Sequence, residues 1–364
     1  MAADFVSIQW VPLEPGTRVP GVVRIIDQTR LPDDLVYRDL TSVSAVAEAI
    51  ASLRIRGAPL LGIAAGYAVV LAAQQALLRK RPIADSVRDA AETIRGTRPT
   101  AVDLFVGLNR LVEAAVRMRS SEPAAVERLL AAAEDFHESG RRACAAIGRY
   151  GADLIPPGAR ILTYCNTGIL ATGGEGTALA AVYQAYRRHG DIGVFACETR
   201  PLWQGARLTA WELRQCRIPV TVLCDNAAAS LLARGEVHCV MVGADRIAAN
   251  GDAANKIGTF PLALAAACHG IPFYVLAPTT SFDTQIPTGA QIPIEHRSPS
   301  EVVRPFGRNI APEGVGVYSP AFDVTPAKYI SALVTERGVV YPPFQTNIPR
   351  VFRQECRDPS GEKK

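Results

Sequence analysis

A thiol, carboxylates and arginines fall at the element ends where a phosphorylated small molecule could be held and altered. The short apolar run Ile161 to Tyr164 reads as a buried strand. It enters Cys165-Asn166-Thr167-Gly168, and small residues crowd the turn beyond: Ala171, Thr172, Gly173, Gly174 and Gly176. An Ala-rich helical pattern starts near Gly176. A strand that runs through a Gly-rich turn into a helix presents backbone N–H groups at a positive helix end, which suits an anion. The same field would favour the Cys165 thiolate. The alternative is one more buried, inert cysteine, as most free cysteines are.

Two arginines precede helix starts. Arg54-Ile55-Arg56-Gly57-Ala58-Pro59 places Pro59 in a first helical turn, and Arg98-Pro99-Thr100 repeats the arrangement. An arginine there can grip phosphate bidentately. Pairing with any nearby carboxylate is an equal alternative on these stretches alone.

Periodicity gives the scaffold that holds these groups. Residues 5–28 alternate apolar and polar and read as two antiparallel strands with a turn at Pro15-Gly16. Helical patterns run over 43–53, capped by Ser42, then 59–78, 84–95, 101–118 and 123–150. After Pro156-Pro157-Gly158 the pattern changes. Strands are predicted at 160–164, 192–196, 219–223, 238–242 and 272–276, and helices at 175–188, 206–215, 226–233 and 257–269. Such alternation predicts right-handed βαβ crossovers and a parallel sheet covered on both faces. The fold class is therefore α/β. A mainly helical N-terminal domain with a small β ribbon (1–152) precedes a Rossmann-like domain (153–364).

In such sheets ligands sit beyond the carboxyl ends of the strands. Those ends carry Cys165, then Cys197-Glu198-Thr199-Arg200, Asp225-Asn226, and Gly243-Ala244-Asp245-Arg246. Chance explains one or two such placements but poorly explains four. No G-x-G-x-x-G or Walker A pattern is present, which disfavours nucleotide binding.

Composition narrows the classes. At 364 residues, 48% hydrophobic and 20% charged, the chain can build two cored domains. A net charge of +4 without a dense basic patch argues against nucleic acid. Leu60 to Leu77 is interrupted by Gly62, Gly66, Gln74 and Gln75 and reads as a packed helix, not a membrane span. The start lacks a basic region before an apolar core, so no signal peptide is expected. Eight cysteines without C-x-x-C or a His pair at metal spacing read as reduced thiols of a cytoplasmic protein, with no metal. The charged end, 350–364, reads as a frayed tail.

Five groups of residues carry a resemblance. They are Arg56-Gly57-Ala58-Pro59; Cys165-Asn166-Thr167-Gly168; Glu198-Thr199-Arg200-Pro201 with Gln204-Gly205-Ala206-Arg207-Leu208-Thr209-Ala210; Gly243-Ala244-Asp245-Arg246-Ile247 with Asn250-Gly251-Asp252 and Asn255-Lys256-Ile257-Gly258-Thr259; and Asn309-Ile310-Ala311-Pro312 with Pro320-Ala321-Phe322-Asp323-Val324-Thr325-Pro326 and Thr335-Glu336. Together, over about residues 20 to 345, they resemble the methylthioribose-1-phosphate isomerase family of methionine salvage. That superfamily also holds initiation factor 2B regulatory subunits and ribose-1,5-bisphosphate isomerases.

The resemblance implies an aldose–ketose isomerase, usually a homodimer, acting on a sugar phosphate without metal or organic cofactor. It implies Cys165 and Asp245 as the catalytic pair. It implies Arg56, Gly57, Ala58, Arg98, Gln204, Asn255 and Lys256 as substrate ligands. Charge and hydrogen-bonding capacity suit those jobs: two arginines and Lys256 for a phosphate, Gln204 and Asn255 for hydroxyls. A solvated helix start is the alternative for Asn255-Lys256. Tyr164, Trp203 and His296 depart from the family's usual residues, which leaves the sugar's 5-substituent open: methylthio, deoxy, hydroxyl or phosphate. A non-catalytic sensor like the initiation-factor subunits is the other class of reading, though those relatives generally lack the Cys/Asp pair.

Overall fold

The computed structural model describes residues 4–98, 102–117 and 123–353. The break at Pro99-Thr100 and the tail from 354 on lie outside the described residues. The chain forms two compact units: 1–142 with 167–176, and 143–166 with 177–364.

The first unit opens with an antiparallel ribbon. Strand β1 (Ile8–Pro12) pairs with β2 (Gly21–Ile26), from Ile8 opposite Ile25 to Pro12 opposite Gly21. A third strand, β3 (Tyr37–Leu40), adds to β2. Sequence periodicity stops at two strands because only Leu40 of β3 is buried, so its Tyr-Arg-Asp-Leu shows no alternation. Helices α1 (Val43–Ala51), α2 (Ala58–Leu78), α3 (Ile83–Arg95) and α4 (Val102–Arg117) come next, then the long α5 (Pro123–Ala152). Ser42 caps α1 by accepting from the Ala45 N–H at 3.1 Å. Helix α2 is apolar on every side and long enough to cross a membrane by length and composition. It is instead the buried axis of this unit, packed by α1, α3 and α4.

Asp27 organises the loop that leads to Arg56. Its fully buried carboxylate accepts from the Thr29 N–H and hydroxyl, from Arg38 Nε at 2.6 Å and from Arg54 Nη1 at 2.6 Å. Burial alone would raise its pKa; the Thr29, Arg38 and Arg54 contacts outweigh burial and hold it below the usual carboxylate value. A group whose folded pKa is depressed contributes stability above its unfolded pKa and loses it as pH falls through the folded value. Asp27→Asn should therefore cost about 3 kcal/mol near neutral pH, the scale for breaking a buried ion pair. Thermal melts should show the gap to the parent chain closing as pH falls below the unfolded carboxylate pKa of about 3.9. An unchanged gap across that window would refute the linkage.

The short helix α6 (Ile169–Thr172) belongs to this first unit. Gly57, at φ 97°, is its docking point: a Cβ there would meet the Ala171 carbonyl oxygen at 2.5 Å. Only glycine permits both that φ and that approach. His137 also holds the segment, with Nε2 2.9 Å from the Gly173 carbonyl.

The second unit is built on a seven-stranded sheet. Its strands are β4 (Arg160–Thr163), β5 (Gly193–Cys197), β6 (Val220–Leu223), β7 (Cys239–Val242), β10 (Phe273–Leu276), β13 (Ala332–Thr335) and β14 (Gly338–Val340). The spatial order is β14-β13-β10-β7-β4-β5-β6, parallel except for β14. Helices α7 (Ala178–His189), α8 (Ala210–Gln215), α9 (Ala228–Ala233) and α10 (Thr259–Cys268) connect these strands. The last turns of α5 belong here too, with Gly148 and Gly151 against Ala180 and Ala181 of α7. Coverage is incomplete at one edge, where Thr221 and Val222 of β6 are exposed.

A second, four-stranded sheet is absent from the sequence expectation. Strands β8 (Arg246–Ala248), β9 (Ala253–Lys256), β11 (Phe282–Asp283) and β12 (Phe322–Thr325) are ordered β11-β8-β9-β12. Helix α11 (Ser300–Val303) and, last among the described residues, α12 (Phe344–Arg353) complete this unit.

Candidate active site

Strand order creates the site. From β4 the chain moves outward to β5 and β6, then returns to lay β7 on the other side of β4. Crossovers diverge between β4 and β7, and a crevice opens beyond their carboxyl ends. Register sets Thr163 opposite Met241 at those ends. Cys165 lies two residues past the first and Asp245 four past the second, so both follow the carboxyl ends of neighbouring strands. Both side chains are half-buried.

Cys165 has an uncommon backbone. Its φ is 64°, the left-handed region that costs a non-glycine residue about 1–2 kcal/mol. Two hydroxyls hold it there. The Cys165 N–H donates to Thr199 Oγ1 at 2.9 Å, and Thr209 Oγ1 donates to the Cys165 carbonyl at 2.6 Å. Thr199 is itself at φ 66°, and Asp225 accepts its N–H and that of Arg200.

The Gly-rich turn leads into a helix as expected, with α7 starting at Ala178 against an expected 175; what the sequence reading lacks is the short α6 inside the turn. The intervening 167–176 joins the first unit, drawn there by the Gly57–Ala171 approach. The first turn of α7 therefore does not come directly after Cys165.

Three other thiols of this unit are shifted upward by burial. Burial pushes Cys239 up to about 12 and Cys216 to about 11, and raises Cys197 well beyond the usual thiol range. They stay protonated. Burial, then the neighbouring Asp225 charge, likewise raises the Tyr164 phenol.

Gln204 lies just before a π-helical turn, Gly205–Thr209, and is 5% exposed. Its Oε1 is buried with no hydrogen-bond partner, an acceptor that a ligand hydroxyl would satisfy. Trp203 precedes it, with the Arg200 guanidinium and the Phe306 ring each 4.6 Å from its ring.

The small sheet carries Asn255 and Lys256 at the end of β9, and β8 starts directly after Asp245. The Asp245 N–H donates to the Ala254 carbonyl at 2.9 Å, which ties the Asp245 turn to β9. Asn255 Nδ2 donates to Thr259 Oγ1, and Lys256 Nζ donates to the Ala321 carbonyl and lies 4.6 Å over the Phe322 ring. Asp323, opposite Asn255 on β12, accepts from the Gly258 and Phe260 N–H groups. Burial raises its pKa to about 6, partly offset by those N–H groups and by Lys256. The Pro320–Pro326 motif thus supports the Asn255–Lys256 turn, which the motif alone did not reveal.

Arg56, Gly57, Ala58 and Arg98 belong to the first unit. Arg56 is buried, and Gly57 and Ala58 form the N-terminal end of α2, with Pro59 in its first turn. Arg98 is half-buried. Among the described residues no group of three or more His, Cys, Asp or Glu is arranged to hold a metal.

The initiation factor 2 subunit family matches residues 54–342. This chain belongs to that family. It is 49% identical over 333 residues to methylthioribose-1-phosphate isomerase of Pelotomaculum thermopropionicum, covering 90% of this chain and 91% of that one. It is 47% identical over 349 residues to 5-deoxyribose 1-phosphate isomerase of Moorella thermoacetica, covering 95% and 99%. Among solved structures, 5-methylthioribose 1-phosphate isomerase of Pyrococcus horikoshii superposes with a TM-score of 0.85 at 40% identity, covering 95% of each chain. A translation initiation factor eIF-2B delta subunit from A. fulgidus gives 0.83 at 41%, covering 96% and 99%. The α/β class and helical N-terminal region expected from sequence hold.

Proposed function

We propose that this chain is an aldose–ketose isomerase that converts 5-methylthioribose 1-phosphate to 5-methylthioribulose 1-phosphate in methionine salvage. The observation that carries the site is the β4/β7 switch point, which sets a thiol and a carboxylate at adjacent strand ends.

A sugar 1-phosphate is locked at C1 and cannot show a free aldehyde. Its ring must open by protonation of the ring oxygen while the phosphate stays. A base then removes the C2 proton, an enol-type phosphate forms, and a proton returns at C1. Loss of the O2 proton completes the ketone. Cys165 as thiolate suits the C–H proton. Asp245 suits the oxygen protons. Gln204 and Asn255 suit sugar hydroxyls, and Lys256 suits the phosphate. Arg56 and Arg98, with the Gly57 and Ala58 backbone, have the charge and donors a phosphate takes.

The deciding experiment offers purified protein a panel of ribose 1-phosphates with methylthio, hydrogen, hydroxyl or phosphate at C5 and measures ketose. Highest kcat/KM is expected for methylthio. The Moorella relative favours the 5-deoxy sugar as the second reading. Turnover of none would refute the isomerase and leave a ligand-sensing subunit. Substrate deuterated at C2 should lose label to water; full retention in the ketose would replace proton transfer by a hydride shift.

A homodimer is part of this proposal, supported by the exposed outer edge at Thr221 and Val222; light scattering on the purified protein tests it. So is a cytoplasmic location, supported by the seven free cysteines among the described residues. Retention in a membrane or periplasmic fraction would count against it.

A further inference from the structure

The Gln204–Ala210 motif has a role beyond Gln204. A non-glycine residue in the left-handed region persists only where its surroundings over-determine it, and such strain gathers at functional sites. Cys165 meets that description, and the π-helical turn supplies half of the restraint. π-Turns are rare and concentrate at functional positions. This one ends on Thr209, whose hydroxyl donates to the Cys165 carbonyl.

Thr209 is held in turn. Asn166 Nδ2 donates to Thr209 Oγ1 at 3.2 Å and to Glu212 Oε2 at 2.9 Å. Glu212 is 0% exposed, and its other oxygen accepts from the Tyr183 hydroxyl at 2.8 Å. A buried carboxylate without enough donors is costly, so this one anchors whatever donates to it. The chain Tyr183–Glu212–Asn166–Thr209 closes on the carbonyl of Cys165 and on the side chain of the very next residue. Thr199 completes it from the N–H side.

We propose that Thr209, backed by Asn166 and Glu212, is a positioning residue that fixes the left-handed backbone of Cys165 and so aims its thiol. Thr209 touches no reacting atom; it acts through the direction of the Cα–Cβ bond at Cys165. This inference rests on the proton-transfer reading of Cys165, so its principal readout needs no substrate.

The test is the rate of Cys165 alkylation by iodoacetamide, measured at the Cys165 peptide by mass spectrometry because Cys224 and Cys268 are more exposed than Cys165 and would react too. It is paired with kcat and KM on 5-methylthioribose 1-phosphate. Thr209→Val should shift the Cys165 alkylation rate at least fivefold and lower kcat ten- to a hundredfold, with KM within threefold. Thr209→Ser keeps the hydroxyl and should recover most of both. A Thr209→Val protein that alkylates at the parent rate overturns the proposal, whatever its kcat. Equal impairment of the Ser and Val variants also overturns it, because the hydroxyl would then be irrelevant. If Thr209→Val does not fold, Glu212→Gln carries the same comparison, with at least a threefold shift in alkylation expected and no shift overturning the proposal. An active Cys165→Ser enzyme would sink the catalytic reading alone, while the alkylation comparison still decides what sets the thiol.

Discussion

Cys165→Ser should lower kcat by about 10²–10⁴, the range for removing a general acid–base group, with KM within about threefold. Serine keeps the size and the backbone restraints from Thr199 and Thr209. What it loses is the thiol, an intrinsically stronger acid than the alcohol that replaces it and one whose anion is the better proton acceptor at enzyme-working pH. Asp245→Asn should fall by a similar factor, since the amide keeps the shape but cannot carry oxygen protons back and forth. The double variant should be little worse than the poorer single one, because groups that act on one reaction path are not additive. Steady-state kinetics with the ketose product as readout decides this. Turnover within threefold of the parent in either single variant would remove that residue from the chemistry. A large rise in KM with normal kcat would make it a binding group instead. The buried Cys197 or Cys239 cannot substitute for Cys165, because burial keeps both protonated.

Why the pair could be read at all comes down to strand length and order. β7 is a four-residue apolar run and β4 has an apolar Ile-Leu centre followed by Thr163 and Tyr164, so both strands are short and the polar residues beyond them stand out. Their adjacency is another matter. Nothing local in Arg160–Thr163 or Cys239–Val242 says that β7 returns to the far side of β4; the resemblance supplied the pairing, and the strand order explains it. Helices α1 to α4 were legible to within a residue or two because their apolar faces repeat at helical spacing or, in α2, wrap all round. The small sheet was not legible. β9 is Ala-Ala-Asn-Lys, which does not alternate, and β12 is Phe-Asp-Val-Thr, too short for its alternation to stand out, and they pair across some seventy residues. Residues 167–176 are a turn into a helix, as their sequence says, but the unit they join is illegible for a different reason. Their Gly-rich sequence suits a turn into a helix, but their place was fixed by the close approach of Ala171 to Gly57, which no window on the segment contains. The hydroxyls of Thr199 and Thr209 were equally hidden. Each meets the backbone of Cys165, and a π-helical turn leaves no periodic trace.

Gly205→Ala should be among the most damaging single-methyl changes the chain can suffer. A Cβ at Gly205 would lie 1.7 Å from the carbonyl oxygen of Cys197 and 2.9 Å from Thr199 Oγ1. The first distance is about half of a van der Waals contact, so the turn or the strand must move. Cys197 is the last residue of β5, paired with Leu223 of β6, and cannot yield without disturbing that ladder. The π-helical turn must therefore shift, and Thr209 and Gln204 shift with it. Overpacking usually costs about 1–3 kcal/mol; an overlap with backbone this deep should exceed about 4 kcal/mol. Activity should fall with stability, because the displaced turn carries the hydroxyl that restrains Cys165. Gly140→Ala is the internal control. It lies inside α5 with open space at its Cβ position, and alanine there should stabilise by about 1 kcal/mol through helix propensity. Thermal melts of the two variants side by side separate the causes. A Gly205→Ala protein that melts with the parent would mean that β5 and the turn are not packed as described, and with them would go the restraint on Cys165.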